Sequence, residues 1–232
     1  PYRSLRVGPM LAPPRQPLPQ SGNVHALEDG AAAALSLPIT LTSQLRLSPE
    51  QFAELCDANP DAVLELAADG ALILMTPTGS ETGARNGALL VELGLAVKRS
   101  GLPLKLFDSS SGFRLPDESV LSPDASLVDL ERWQALTPEQ RRTFAPLCPD
   151  LVVELVSPSD EGPRGLTALR QKMAAYQRNG ARLGWLLIPE QRSVEVWGPA
   201  GEDPVRIEAA ERLDGAPGFP GLTIELAEIW DG

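Results

Sequence analysis

Asp124, Glu154 and Lys172 are the residues whose types could do chemistry together, provided the fold brings them to one place. Aspartate and glutamate oxygens are the hard ligands that Mg²⁺ or Mn²⁺ takes. A lysine ammonium beside them can orient an attacking water or offset charge on an anionic substrate. Glu154 is the most informative of the three. It interrupts Leu151-Val152-Val153-Glu154-Leu155-Val156, a short run that reads as a buried strand near the centre of a sheet. An ionised carboxylate there is costly unless a cation, a metal or hydrogen-bond donors compensate it. Its strand neighbours on the same face are Val152 and Val156. The bland alternative is a core glutamate paired with Arg170 or Arg182.

Asp124 follows Pro123, and a proline suits a strand start or bulge. Pro149-Asp150 has the same form and serves as a decoy, so Pro-Asp alone decides little. Lys172 falls at the flank of a helical stripe formed by Leu166, Leu169, Met173 and Tyr176. From there its ammonium can run along the sheet toward Glu154; otherwise it is a solvated lysine with a packed stem. Glu81 is a fourth candidate, although the first turn of a helix favours an acid in any case. Asp108, Arg85, Asn86, Arg114 and Ser157 are weaker candidates. The tryptophans at 133, 185, 197 and 230 read as core or interface anchors.

The elements that must position these residues follow from punctuation and periodicity. Residues 1–44 carry five prolines between Pro9 and Pro19 and read as a proline-rich tail, with the ordered domain over 45–232. Ser48-Pro49-Glu50-Gln51 predicts a capped helix to about Ala58. Asp69-Gly70 predicts a hairpin between Val63–Ala67 and Ala71–Thr76, which Pro77-Thr78-Gly79-Ser80 ends. A long helix over 81–100 follows, with Leu89, Leu90, Leu93 and Val97 on its buried side. Strands are expected at Leu104–Phe107, Phe113–Leu115 and Ser119–Val128, and Thr137-Pro138-Glu139-Gln140 caps another short helix. A helix over 165–178 comes after the Glu154 strand. Leu183–Ile188 and Val194–Trp197 pair late in the chain, and Phe219–Leu226 supplies an edge strand. The pattern is α/β or mixed α+β, a central sheet carrying helices.

Composition excludes several function classes. The net charge of −11 argues against coating nucleic acid by charge alone, although a metal and a local basic rim can reverse the field at one cleft. One histidine, His25, rules out a His-based triad or a multi-His zinc site from a single chain. Two cysteines, Cys56 and Cys148, are too few for a disulfide framework and point to the reducing cytoplasm. No apolar run reaches membrane-spanning length, so no membrane partner is expected.

Several separated stretches, in order, resemble the Uma2 family of the PD-(D/E)XK nuclease superfamily. They are Thr76-Pro77-Thr78-Gly79, Glu81-Thr82-Gly83-Ala84-Arg85-Asn86, Phe107-Asp108-Ser109-Ser110-Ser111-Gly112-Phe113 and Ser122-Pro123-Asp124-Ala125. They continue with Pro149-Asp150-Leu151-Val152-Val153-Glu154-Leu155, Ser157-Pro158-Ser159, Lys172-Met173 and Asn179-Gly180. The resemblance covers about Ser48 to Trp230. It implies a restriction-endonuclease-like core, a central mixed sheet flanked by helices. It also implies an endonuclease using Mg²⁺ or Mn²⁺, with Asp124 and Glu154 as metal ligands, Glu81 assisting, Lys172 catalytic and DNA as the expected nucleic acid. The superfamily places its lysine two residues after the second acid; that position is Val156 here, and Lys172 on the next helix takes the role by resemblance. The alternatives are a catalytically silent binding or assembly module and a hydrolase of small phosphoesters. A homodimer is the expected assembly, with Ser193–Trp197 offering an exposed edge.

Overall fold

The computed structural model describes residues 45–75, 78–160 and 162–232. The proline-rich tail, His25, the strand end Thr76 and Pro77 of the expected break lie outside the described residues. Local signals set most element ends. Ser48 accepts from the Gln51 N–H while the Gln51 side chain accepts from Ser48 N, and this capping box opens α1, Pro49–Ala58. The hairpin of β1 (Val63–Leu66) and β2 (Leu72–Met75) turns at Gly70, whose φ is +80°. A Cβ there would lie 2.8 Å from the Leu47 carbonyl oxygen, so this turn needs glycine for both conformation and space. Then come α2 (Ser80–Ser100), β3 (Leu104–Asp108), β4 (Phe113–Arg114), β5 (Val120–Leu121) and β6 (Ala125–Asp129). After them run α3 (Leu130–Ala135), α4 (Pro138–Arg142), β7 (Leu151–Leu155), α5 (Pro163–Arg178), β8 (Leu183–Ile188) and β9 (Ser193–Trp197). The chain closes with β10 (Val205–Ile207), β11 (Arg212–Asp214), β12 (Thr223–Glu225) and α6 (Ala227–Asp231).

A six-stranded mixed sheet in the order β10-β9-β8-β7-β6-β3 is the frame of the molecule. Its one parallel pair is β7 with β8, joined by the crossover helix α5; the other pairings are antiparallel. Along β7, Leu151, Val153 and Leu155 face one core with Leu89 and Leu93 of α2. Val152 and Val156 face the other, with Met173 and Tyr176 of α5. Helices therefore cover both faces, and β7 is buried throughout. A smaller sheet, β2-β1-β5-β4, packs with α1 around Phe52, Leu66 and Val120.

Three sequence expectations change. Ser119–Val128 is not one strand: it divides at Ser122-Pro123-Asp124, with β5 in the small sheet and β6 in the large one. Pro123 has no N–H for a ladder, and Ser122 N donates to the Glu65 carboxylate instead. Ser193–Trp197 is not an exposed edge, because β10 pairs with it and four of its five residues are buried. The strand expected over Phe219–Leu226 is the three-residue β12, paired with β11 outside the main sheet. The decoy Asp150 is structural: its carboxylate accepts from Arg132 Nη1 at 2.7 Å and from Asp129 N at 2.8 Å.

The seat of α5 makes a testable demand. A Cβ on Gly165 would lie 2.4 Å from the Asp160 carbonyl oxygen and 2.6 Å from its Cα. Backbone cannot yield as a side-chain tip can, so Gly165→Ala is expected to cost about 1–3 kcal/mol. At about 2–4 °C per kcal/mol, that is a clear drop in a thermal melt. Gly83→Ala in α2 has open space around it and is the control, expected to hold or raise the melting temperature.

Candidate active site

Glu154 projects from β7 on the α5 side of the sheet and is 3% exposed. Ala125 of β6 pairs with Val153, so Asp124 stands opposite Glu154 where the antiparallel register runs on. The Asp124 side chain substitutes for a ladder partner: Oδ2 accepts from Leu155 N at 2.7 Å. Its Oδ1 takes a longer bond, 3.4 Å, from Asn86 Nδ2 of α2. Lys172 comes from α5 and sits within reach of three oxygens. Its Nζ is 2.9 Å from Glu154 Oε1, 2.8 Å from Glu65 Oε1 and 3.0 Å from the Ser122 carbonyl oxygen. One turn further along α5, Tyr176 donates its hydroxyl to Glu154 Oε1 at 3.2 Å.

The structure thus gathers Asp124, Glu154 and Lys172 at one end of the main sheet. It pairs Glu154 with Lys172 and not with the arginines of the bland alternative. Arg170 pairs with Glu195, and Arg182 donates to the Gly218 carbonyl; neither pairs with Glu154. Val156, at the superfamily's usual lysine position, is buried in the core, and its N–H bonds Leu187 O. Sequence reasoning missed Glu65, which is 3% exposed and joins Lys172 from the small sheet. The signal was available: Val63-Leu64-Glu65-Leu66 is an acid inside an apolar strand, the same feature that marks Glu154. Tyr176 belonged to the expected core stripe, but its hydroxyl serves the site.

Glu81 stands apart. It is mostly exposed and bonds Arg85, whose guanidinium also faces Glu190 and the Trp230 carbonyl. Asp108 braces its own loop by accepting from Ser110 and Ser111, and the Ser110 hydroxyl in particular holds its carboxyl below the ordinary value. Arg114 is engaged by Glu118 and Glu50. Ser157 bonds Asp160 in the turn after β7.

Charge at the site is unbalanced. Three carboxyl groups share one ammonium. Burial pushes the Glu154 carboxyl up to about 8, and the neighbouring Asp124 and Glu65 add to this while Lys172 opposes it. Asp124 is raised as well, chiefly by burial, against the Leu155 N–H and Lys172. Burial works to discharge Lys172, but Glu154 and Glu65 outweigh it and hold its pKa above the ordinary value. Tyr176 is raised well above its ordinary value by burial and by Glu154.

Among the described residues, no three Asp, Glu, His or Cys side chains are arranged to hold a metal ion. The donors of a two-carboxylate site are nonetheless here. Asp124 and Glu154 are buried hard oxygen ligands in surroundings short of positive charge. Asn86 Oδ1, beside Asp124, is buried with no hydrogen-bond partner and is a further acceptor for a cation. The chemistry of this donor set fits Mg²⁺ or Mn²⁺.

Comparison with known proteins agrees with this architecture. The model of the Uma2 family, described as "Putative restriction endonuclease", matches residues 49–227. A crystal structure of a "putative nuclease belonging to DUF820" from Anabaena variabilis matches with a TM-score of 0.62 at 19% identity, covering 80% of this chain and 98% of that one. At that identity the likeness speaks for the fold alone. The comparison with curated proteins found no match.

Proposed function

Because the chain belongs to the Uma2 family, we propose that it is an endonuclease that hydrolyses phosphodiester bonds of nucleic acid, DNA foremost, with Mg²⁺ or Mn²⁺. What carries this reading is the convergence of Asp124, Glu154 and Lys172 on one sheet end, with Lys172 Nζ 2.9 Å from Glu154. Asp124 and Glu154 would hold the metal, with Asn86 Oδ1 beside them. The metal supplies a water of lowered pKa and offsets charge building on the scissile phosphate. Lys172 keeps its proton, so it serves as a hydrogen-bond donor and a fixed positive charge toward a phosphate oxygen rather than as a base. Glu65 and the Ser122 carbonyl fix where that ammonium points. Tyr176 fixes Glu154 by donating to Oε1, which leaves Oε2 for other partners.

Nicking of supercoiled plasmid tests the reading. The wild type is expected to nick with Mg²⁺ or Mn²⁺ and not in EDTA. A folded Glu154→Gln variant should lose at least about 10²–10³-fold of that rate, as when a group aimed at the transition state is removed. Equal nicking by both proteins would mean that the site lies elsewhere. No nicking by either would favour the silent binding or assembly module.

A further inference from the structure

A concavity opens where β3 ends. It encloses about 340 Å³ and is lined by Phe107, Trp133 and Phe144, with Arg141, Arg142 and Ser110 on its wall. That volume suits a small ligand. Two facts place it on the substrate side of the molecule. Phe107, Phe113 and Trp133 pack into the core shared with Val152, Val156 and Tyr176, so the concavity opens on the face of the sheet that carries Glu154. Asp108 pairs with Ala125, so the chain leaving β3 emerges next to Asp124, at the same sheet end. Gly112 and Ser122 connect the two regions. A Cβ on Gly112 would sit 3.3 Å from Ser122 Oγ, and the Ser122 carbonyl is the one that Lys172 grips.

The chemistry of the wall is distinct from that of the acid site. Lys105 Nζ lies 5.7 Å from the Trp133 ring centroid, and the Arg141 guanidinium lies 5.8 Å from it. Phe107 meets Trp133 edge-on at 4.9 Å. Among the described residues, no carboxylate lies within ion-pair reach of Lys105, Arg141 or Arg142, in a chain of net charge −11. Among the described residues, Arg141 Nη2 bonds the Gln134 carbonyl alone, and Asp57 is the one acid on the wall. Trp185, Trp197 and Trp230 are buried, whereas Trp133 is partly exposed and lines this space. An aromatic face flanked by unpaired cations is what a base with its attached phosphate binds.

We propose that this concavity holds one unpaired nucleotide of the substrate strand, its base stacked on Trp133 and its phosphate held by Arg141 and Arg142. This rests on the nucleic-acid reading above and extends it to substrate form. A single-stranded or locally opened segment is engaged next to the cleavage site, and the stacked base sets where the strand lies relative to Asp124 and Glu154. Stacking is indifferent to base identity, so the contact gives position rather than sequence preference.

The test is equilibrium binding in EDTA, where no metal-dependent cleavage occurs, using fluorescein-labelled twelve-residue oligodeoxyuridylate and oligouridylate. Binding is read by anisotropy and by quenching of tryptophan emission. Both strands should bind and quench the wild type if the site reads the shared base and phosphate; binding by one alone identifies its sugar. Trp133→Leu should weaken binding about 5- to 100-fold and abolish the quench. Arg142→Ala, at an exposed position, should weaken it and reduce its salt dependence by about one phosphate contact. Trp133→Phe keeps a ring and should recover most of the affinity, which separates stacking from a folding defect. Affinity and salt dependence unchanged in both Trp133→Leu and Arg142→Ala, or no binding of either strand, would overturn the proposal. Plasmid nicking reads the other claim separately. Trp133-dependent binding without nicking keeps this site and sinks the nuclease, and nicking with Trp133-independent binding does the reverse.

Discussion

Lys172→Met is expected to destabilise the metal-free protein by about 3–5 kcal/mol at pH 8.5 and to abolish metal-dependent cleavage. The size follows from what the lysine leaves behind. Its ammonium is the ion-pair partner of both Glu154 and Glu65, whose side chains are only 3–4% exposed. The Ser122 carbonyl loses its donor as well. Removing one partner of a buried charge pair leaves the desolvation cost of the others in place, which is why such losses exceed those at exposed pairs. Exposed Arg192–Asp231 is the internal comparison, and its disruption should change stability by less than about 1 kcal/mol. Urea unfolding followed by circular dichroism reads the effect. Adding Glu65→Gln and Glu154→Gln to the lysine variant should recover much of the loss, because the uncompensated charges go too. A Lys172→Met midpoint equal to the wild type would show that the lysine is not the charge holding this site together.

How far the site was visible in the sequence depended on whether the local context exposed each residue's cost. Glu154 announced itself because an acid among five apolar strand residues has no cheap explanation. Lys172 could be placed only at a helix flank, since periodicity gives a face but not a partner. Glu65 obeyed the logic of Glu154, but its strand is half as convincing: β1 has four residues, and Val63 and Leu64 are not fully buried. The long and capped elements α1, α2, α5, β7 and β8 were legible from caps, turns and continuous apolar runs. The short ones, α3, β10, β11 and α6, were not, because three to six residues carry too little periodicity. The division of Ser119–Val128 had a local signal in Pro123, but its partner is tertiary: Glu65 captures Ser122 N across 57 positions of sequence, which no local pattern encodes. The same event builds the candidate site, since it brings the small sheet's carboxylate to Lys172.

Between pH 5 and pH 8 the metal-free protein is expected to lose stability, and Glu154→Gln is expected to flatten that loss. The Glu154 carboxyl titrates at about 8 in the fold, against an ordinary value of 4.5. The folded state therefore holds a proton that the unfolded chain has already released, and stability falls as pH rises wherever the native state binds more protons. The fall begins near 4.5 and ends near 8, and its total is on the order of a few kcal/mol. Asp124, also raised, acts in the same direction. Below this window Asp108 and Asp117, held below their ordinary values, give the opposite slope, so stability should peak near pH 5. Lys172 stays charged across the whole range and contributes no slope there. Added Mg²⁺ or Mn²⁺ needs the ionised carboxylates, so its stabilising effect should be larger at pH 8.5 than at pH 6. Thermal melts of the wild type and Glu154→Gln, in EDTA and with metal at both pH values, decide the matter. A wild-type stability that stays flat from pH 5 to 8, and is unchanged in slope by Glu154→Gln, would mean that Glu154 is ionised throughout, and that Lys172 alone, with no need of a metal, balances the site.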